Sequence, residues 1–395
     1  MLFVSKEKTG GNLMIIKNAI IHDAIHKEPY QGDILIRDGK LISVGEAVDT
    51  EDEVFDAAGL HAYPGFVDAH SHIGLDNWGG PTGGAYDFNE LNDICCPQLR
   101  GLDSYYAQDA AIPEALKGGV TTVATGPGSA NVLGGTFFAV KLYGNSVDKA
   151  MIKPAIAMKC AFGENPKRCY TDKKDSARMT TAAILRQTLF EARDYMLRKE
   201  AAGDDITKQP RFDMKMEALI PVLKKEIPLK AHAHRSDDIM TAIRIAKEFD
   251  LKLTIEHCTE GHLIVEELKE ANVPVAVGPT LMHAPKPELV HKSWTTPGIL
   301  AKAGIQVSII TDTPATPQEY LPLCAGQAVK AGMDPFQALQ AITINPARHI
   351  GIEDRVGSLE AGKDADIVLT NGDPMVSDTT VKYVFVDGKL LVENV

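Results

Sequence analysis

Residues 63–74 read YPGFVDAHSHIG, a short apolar stretch that ends in two histidines, His70 and His72, one residue apart. The stretch is typical of a β-strand because it is apolar and bounded by turn-forming residues. Residues two apart in a strand point to the same side, so both imidazoles could share one metal ion. A polar strand end is the alternative, and the choice depends on the rest of the chain.

Seven further apolar stretches follow, separated by helical segments. The eight predicted strands are residues 63–68, 120–125, 137–142, 154–159, 227–232, 253–257, 274–278 and 306–311. One helix is clear after Ser236, a candidate N-cap, because apolar residues recur on one face up to Phe249. Alternating strands and helices predict an α/β protein with a parallel sheet, a (β/α)8 TIM barrel. The alternative is an open doubly wound sheet. It is disfavoured because the sequence lacks the glycine-rich loop that such a fold usually carries after its first strand.

The two ends of the chain have a different pattern. Residues 14–45 and the last 30 or so residues alternate short β-branched runs with turn signals such as Asp38-Gly39 and Asp387-Gly388. We therefore expect β-hairpins at both ends, and these could pair with each other. The first thirteen residues read as a leader, an alternative start or a remnant of the expression vector, and the predicted fold begins at Met14.

Composition excludes several classes of function. The net charge of −12 and the absence of a long basic block argue against a nucleic-acid partner. No apolar run reaches the roughly 20 residues that span a bilayer, and the N-terminus is too polar for a secretory signal, so we expect a cytoplasmic protein without membrane contact. The six cysteines form no CxxC pair and are expected to be reduced.

Residues that can bind metal ions end four more of the predicted strands. Lys159 ends the fourth, His232 the fifth, His257 the sixth and Asp312 the eighth. All strands of a parallel barrel open their carboxyl ends on one face, where such enzymes keep their active sites. Together with the histidine pair, five strands therefore deliver ligand-type side chains to one rim.

These motifs resemble the amidohydrolase superfamily of metal-dependent hydrolases, in its imidazolonepropionase-related and dipeptidase-like branch. The resemblance extends from Met14 to the C-terminus and includes PGFVDAHSH at residues 64–72 and TINPARHIGIEDRVGSLEAGKDADIVL at residues 343–369. It implies a barrel over residues 62–345. It also implies a small β-sandwich built from residues 14–61 and 346–395.

The resemblance also implies a binuclear metal site. His70 and His72 would bind the more buried ion, His232 and His257 the other, and Asp312 would be both a ligand and the proton shuttle. Lys159 would be carboxylated and bridge the two ions, which the nitrogen and oxygen ligands suggest are zinc. An ammonium would repel two cations, whereas a carbamate supplies two anionic oxygens.

Two positions of this predicted metal site have alternative interpretations, the bridge between the ions and the ligand at His232. Glu164 could bridge the ions directly, and Lys159 would then be a structural lysine at the rim. His234, two residues after His232, could replace it as the ligand.

Two residues are candidates for binding substrate. Arg235 stands where related deaminases carry a glutamate that protonates a ring nitrogen, and it could instead clamp a substrate carboxylate. A surface pair with Asp237 or Asp238 is the alternative for Arg235. His283 follows the seventh strand and could also contact substrate.

The predicted reaction is hydrolysis of an amide C–N bond in a small substrate, with a dipeptide or an N-acyl amino acid favoured. A metal-bound hydroxide would attack the carbonyl, and Asp312 would carry the proton. The alternative is a mononuclear deaminase or an imidazolonepropionase-like cyclic amide hydrolase, in which Glu260 could replace the missing glutamate. A non-catalytic scaffold is a third hypothesis. Family members are often oligomers, so we expect a homo-oligomer.

Overall fold

The chain folds into two eight-stranded β-sheets with helices around one of them, in a computed structural model that describes residues 13–48, 53–76, 87–170 and 177–394. The leader predicted for residues 1–13 therefore lies outside the described residues, apart from Leu13. In chain order the strands are β1 (Leu13–Ile21), β2 (Tyr30–Arg37), β3 (Lys40–Val44), β4 (Glu53–Asp56), β5 (His61–Pro64), β6 (Phe66–Ser71), β7 (Val120–Thr125), β8 (Leu133–Lys141), β9 (Met151–Ala161), β10 (Leu229–Ala233), β11 (Leu253–His257), β12 (Val275–Val277), β13 (Val307–Ile309), β14 (Ile367–Thr370), β15 (Val381–Val386) and β16 (Lys389–Glu393).

Strands β6 to β13 form the barrel, in sequence order around its wall. The segment after β13 closes the barrel onto β6, because the Asp312 N–H donates to the His70 carbonyl at 3.2 Å and the His72 N–H donates to the Thr313 carbonyl at 2.9 Å. The predicted TIM-barrel fold with a terminal β-sheet unit is confirmed.

The direction of one barrel strand differs from the prediction. Strand β8 runs antiparallel to both β7 and β9, so the expectation of a fully parallel sheet is wrong at this position. The reason is chain length, because only residues 126–132 separate β7 from β8. A parallel crossover needs a dozen or more residues, whereas a direct return needs few. The carboxyl end of β8 therefore lies at the opposite end of the barrel from the predicted rim.

Helices flank the barrel strands. They are α1 (Ala111–Lys117), α2 (Val147–Ala150), α3 (Glu164–Tyr170), α4 (Arg178–Ala202), α5 (Met214–Leu223), α6 (Ser236–Phe249), α7 (Val265–Ala271), α8 (Thr296–Lys302), α9 (Leu321–Lys330), α10 (Pro335–Gln340) and α11 (Ile344–His349). Helix α6 buries the predicted apolar face, including Ile239 and Ile243. Its N-cap is Arg235, so the predicted cap at Ser236 is wrong by one residue.

The chain ends pair with each other. In the terminal sheet the strand order is β16-β15-β14-β5-β1-β2-β3, with β4 beside β1. Strand β5 joins the two ends by pairing antiparallel with β14 and parallel with β1. The predicted turns at Asp38-Gly39 and Asp387-Gly388 close the outer hairpins, and all four residues have positive φ angles. The residue limits of the two predicted domains stay a prediction.

A buried ionic cluster ties the barrel to the terminal sheet. Lys141, at the carboxyl end of β8, reaches Asp364 at 2.8 Å and Asp366 at 2.9 Å and also contacts Asp387. Burial disfavours the Lys141 ammonium, but the three carboxylates outweigh this effect and raise its pKa. The lysine is therefore charged, and two of the acids that it compensates, Asp364 and Asp366, are themselves buried.

Replacing Lys141 should destabilise the fold strongly. We expect Lys141→Met to lower the free energy of unfolding by about 3–5 kcal/mol, because it leaves the buried Asp366 carboxylate without its cation, whereas Asp364 keeps Arg355. Urea denaturation followed by circular dichroism measures the loss. Lys208→Met, at an exposed lysine paired with Asp205, is the control and should change stability little. Equal midpoints for the two variants would contradict a structural role for the cluster.

Candidate metal centre

Two groups of metal-ligand side chains adjoin at one end of the barrel. The first group consists of His70, His72 and Asp312, and the second consists of His232, His234 and His257. Within each group the donor atoms lie within 4.8 Å of one another. The ring centroids of His70 and His257 are 5.1 Å apart, so the two groups are neighbours.

Backbone carbonyls fix two of the rings. His72 Nδ1 lies 2.8 Å from the Gly126 carbonyl oxygen, and His257 Nδ1 lies 2.8 Å from that of Gly278. A carbonyl oxygen only accepts, so in each neutral ring the hydrogen is on Nδ1 and the lone pair is on Nε2. Both histidines therefore present Nε2 as the ligand atom.

Two buried imidazole nitrogens have no protein partner. The Nε2 atoms of His232 and His257 make no hydrogen bond within the described part of the chain, while His232 Nδ1 lies 2.8 Å from Ser129 Oγ. Burial lowers the pKa of both rings, to about 4 for His257, so both are neutral at pH 7. A divalent cation accepts such lone pairs, so these residues fit a metal ion.

Lys159 lies beside both groups. Its Nζ is 3.1 Å from His70 Nε2, and its side chain is fully buried. Burial, with the neighbouring Lys230, lowers the pKa of Lys159 to about 7 against the opposing effect of Asp312. A substantial share of the amine is therefore uncharged at neutral pH.

Asp312 faces the first group. Its Oδ1 is 3.3 Å from His72 Nε2 and 3.5 Å from His70 Nε2. Burial disfavours the carboxylate, but His257, His72 and His70 outweigh burial and hold the pKa of Asp312 below its usual value. The backbone is left-handed at both Asp312 (φ +52°) and His257 (φ +72°), a conformation that costs energy for residues other than glycine.

His234 has a different environment from His232. Its Nδ1 lies 2.8 Å from Thr259 Oγ1, and its Nε2 is 3.4 Å from Lys286 Nζ and 3.8 Å from Glu288 Oε1. His232 Nε2 has no such neighbour, so the unpaired lone pairs favour His232 and His257 as ligands. His234 stays the alternative because its donor atom lies in the same group.

Two predicted site residues point elsewhere. The Glu164 carboxylate is 2.9 Å from Arg178 Nη1, so the structure does not bring Glu164 to the metal groups as a bridge. Arg235 forms two hydrogen bonds to Asp237, at 3.0 and 2.8 Å, at the protein surface. Arg235 therefore forms the surface pair with Asp237 that was the alternative to a clamp for a substrate carboxylate.

A buried carboxylate that the sequence argument missed supports His70. Glu256 accepts from His70 Nδ1 at 3.2 Å and from Lys230 at 2.7 Å through Oε2, and from His349 at 2.8 Å and Thr254 at 2.7 Å through Oε1. Burial disfavours its charge, but Lys230 and His349 outweigh burial and hold the pKa of Glu256 well below its usual value. The carboxylate therefore fixes His70 with its Nε2 lone pair toward the centre.

The strand pattern contained a signal for Glu256. It lies opposite His232 in the register between β10 and β11 and therefore shares its side of the sheet. Alternation would send the adjacent His257 to the other side, but the left-handed backbone at the strand end lets its ring join the group.

A cavity of about 380 Å³ opens on the two groups. His72, His232, His234 and Asp312 line one side, and Arg168, Asn165 and Lys286 are among the residues that line the remainder. The predicted substrate residue His283 is exposed and does not line the cavity, although its neighbour Met282 does. The volume suits a small molecule.

Residues 62–391 match the family model described as the amidohydrolase family. The chain belongs to the amidohydrolase family. This amidohydrolase is therefore a hydrolase of C–N bonds in a metal-dependent family, and the resemblance to the amidohydrolase superfamily is confirmed.

Relatives of this amidohydrolase include one structure of high similarity. It is a crystal structure of an amidohydrolase from Thermotoga maritima MSB8, 41% identical, with a TM-score of 0.93 over 96% of this chain and all of that one. A 5'-deoxyadenosine deaminase from Methanobrevibacter smithii is 25% identical over 97% of this chain and 93% of its own. Amidohydrolase tasK from Hapsidospora irregularis is 26% identical over 90% of this chain, which spans only 39% of that protein.

Among the described residues, the helices are all too short or too polar to cross a membrane.

Removing the charge of Glu256 should weaken metal binding. We expect Glu256→Gln to lower metal affinity about 10- to 100-fold, because His70 loses the anion that orients and polarises it. Competition with a chromogenic chelator measures the affinity. Glu248→Gln, at a surface carboxylate paired with Arg186, is the control and should bind metal as the wild type does. Equal affinity for Glu256→Gln would contradict the supporting role.

Proposed function

We propose that this amidohydrolase holds two divalent ions, zinc by the nature of its ligands, and hydrolyses an amide C–N bond in a small substrate. The observation that carries the proposal is the position of the Lys159 amine. It lies 3.1 Å from a histidine of the first group, and its charge affects the pKa of both His232 and His257 in the second. A group that bridges the two metal ions would have to lie where the Lys159 amine lies, between the two ligand groups.

Lys159 is the proposed bridge in its carboxylated form. The neutral amine attacks carbon dioxide, a new N–C bond forms, and one proton is released, which leaves an anionic carbamate. A buried ammonium beside two cations would be strongly repelled, whereas a carbamate would supply anionic oxygens that could act as ligands. His70, His72 and Asp312 would hold one ion, and His232 and His257 the other.

Asp312 is the proposed proton carrier. When bound, the ions would polarise the substrate carbonyl and lower the pKa of a water molecule. The Asp312 carboxylate would accept the proton of the attacking water and then donate it to the leaving nitrogen as the C–N bond breaks. Its lowered pKa keeps the carboxylate ionised, which is the form that can accept a proton.

The similarity to a deaminase supports a second candidate, a mononuclear deaminase or an imidazolonepropionase-like cyclic amide hydrolase. That chemistry needs a carboxyl group to protonate a ring nitrogen. Glu260 accepts from Ser236 Oγ at 3.0 Å and from His291 Nδ1 at 2.7 Å, so it is engaged at the start of α6. Arg235 cannot take the role. These contacts favour an amide substrate such as an N-acyl amino acid or a dipeptide.

The third hypothesis, a non-catalytic scaffold, is disfavoured because every expected ligand position is filled. A homo-oligomeric state, a cytoplasmic location and the absence of a nucleic-acid partner stay predictions from the sequence. The substrate is proposed to be a free small molecule.

Metal content and carbamate formation test the bridge together. Protein produced with zinc and ¹³C-bicarbonate should contain two zinc ions per chain and show a carbamate resonance in ¹³C NMR. Lys159→Met should lose the resonance and at least one ion, whereas Lys208→Met should keep both. One ion per wild-type chain without a carbamate signal would refute the binuclear proposal and favour the deaminase.

Asp312→Asn tests the proton carrier. The amide can still coordinate but cannot accept the proton, so we expect kcat on N-acetyl amino acids to fall about 10²- to 10⁴-fold. Elemental analysis should find the metal content almost unchanged. A variant that keeps its metal and its kcat would show that another group moves the proton.

A further inference from the structure

Among the polar residues that line the cavity away from the metal groups, three have side chains that can donate hydrogen bonds to a ligand. Arg168 and Asn165 stand three residues apart on α3 and therefore share a face of that helix, and Asn89 lines the same cavity. We call these three residues the donor wall.

Arg168 is the uncompensated charge of this wall. No hydrogen bond or ion pair joins its guanidinium to another residue in the described ranges. The charged groups near it balance one another: Arg178, Lys167 and Lys286 pair with Glu164, Asp238 and Glu288. Arg168 alone therefore remains to attract an anion that enters the cavity.

Lys286 is less available than Arg168 to bind an anionic ligand. Its Nζ contacts Glu288 Oε1 at 2.9 Å, Asn165 Oδ1 at 3.0 Å and His234 Nε2 at 3.4 Å. The first contact is an ion pair that compensates the Lys286 charge, and the other two are hydrogen bonds that use two of its three donor hydrogens.

The two amide groups complete the wall as donors. Asn165 Oδ1 accepts from Lys286, and Asn89 Oδ1 accepts from the Ala130 N–H at 3.2 Å. With their oxygens engaged, both side chains have their NH₂ hydrogens left, and the described residues supply no acceptor for them. Arginine has no acceptor either, so the wall suits a group that only accepts, as a carboxylate does.

We propose that the donor wall binds the carboxylate of the substrate, so that this amidohydrolase acts on N-acyl amino acids. This inference rests on the proposed function. The only acid among the described cavity residues is Asp312, which faces the metal groups. The wall therefore offers nothing to the ammonium of a dipeptide. Phe88, Met282 and Leu289 line the same cavity and favour an apolar amino-acid side chain.

Matched substrates isolate the carboxylate. The zinc-loaded enzyme is assayed on N-acetyl derivatives of the common amino acids and on the same compounds with the carboxylate converted to an amide. We expect the acids to be preferred, the apolar members most strongly. Arg168→Gln should lower kcat/KM for the acids about 100-fold, mainly through KM, and change that for the amides less than about twofold.

Two further variants sharpen the comparison. Arg168→Lys should recover part of the preference, because it restores the charge but not the bidentate geometry. Arg198→Gln, at an exposed arginine of α4 that pairs with Asp194, should behave as the wild type. If Arg235→Gln abolished the preference and Arg168→Gln did not, the carboxylate would bind at the helix start and the proposal would be wrong.

The result separates this inference from the proposed function. If acids and amides are hydrolysed equally well, amide hydrolysis stands and the carboxylate site is overturned. Faster cleavage of glycyl-leucine than of N-acetyl-leucine would overturn the choice of N-acyl amino acids. If the zinc-loaded protein hydrolyses neither series and does not hydrolyse glycyl-leucine, the proposed function itself fails.

Discussion

Two buried imidazole nitrogens at the barrel rim, His232 Nε2 and His257 Nε2, have no hydrogen-bond partner among the described residues. The carbonyls of Gly126 and Gly278 hold the Nδ1 hydrogens of His72 and His257, so the lone pairs on Nε2 point inward. Burial keeps the ring of His257 neutral, and its Nε2 has no partner among the described residues. Buried polar atoms without partners cost free energy, so a cation that accepts these lone pairs stabilises the site as it binds.

The rest of the molecule holds this arrangement in place. The left-handed backbone at His257 and Asp312 is strained, and a strained conformation persists only where the surroundings impose it. Glu256 orients His70 through a hydrogen bond to its Nδ1, and Lys230 keeps Glu256 charged. Farther away, Lys141 fastens the barrel to the terminal sheet through buried carboxylates.

The sequence predicted the parts of this site that depend on local pattern. Eight strands and the residues at their ends could be found because strand period and strand-end placement are short-range properties. The direction of β8 depends on the short connection before it. The surface position of Arg235 depends on where α6 begins. Glu256 was missed because a carboxylate inside a strand gains its meaning from partners such as His349, 93 residues away in the chain.

The most direct test of the central claim is anomalous X-ray diffraction at the zinc edge, on crystals grown with zinc and bicarbonate. The account predicts two zinc peaks, one between His70, His72 and Asp312 and the other beside His232 and His257. It also predicts carbamate density on Lys159 that reaches both ions. A single peak next to an unmodified Lys159 would contradict the account.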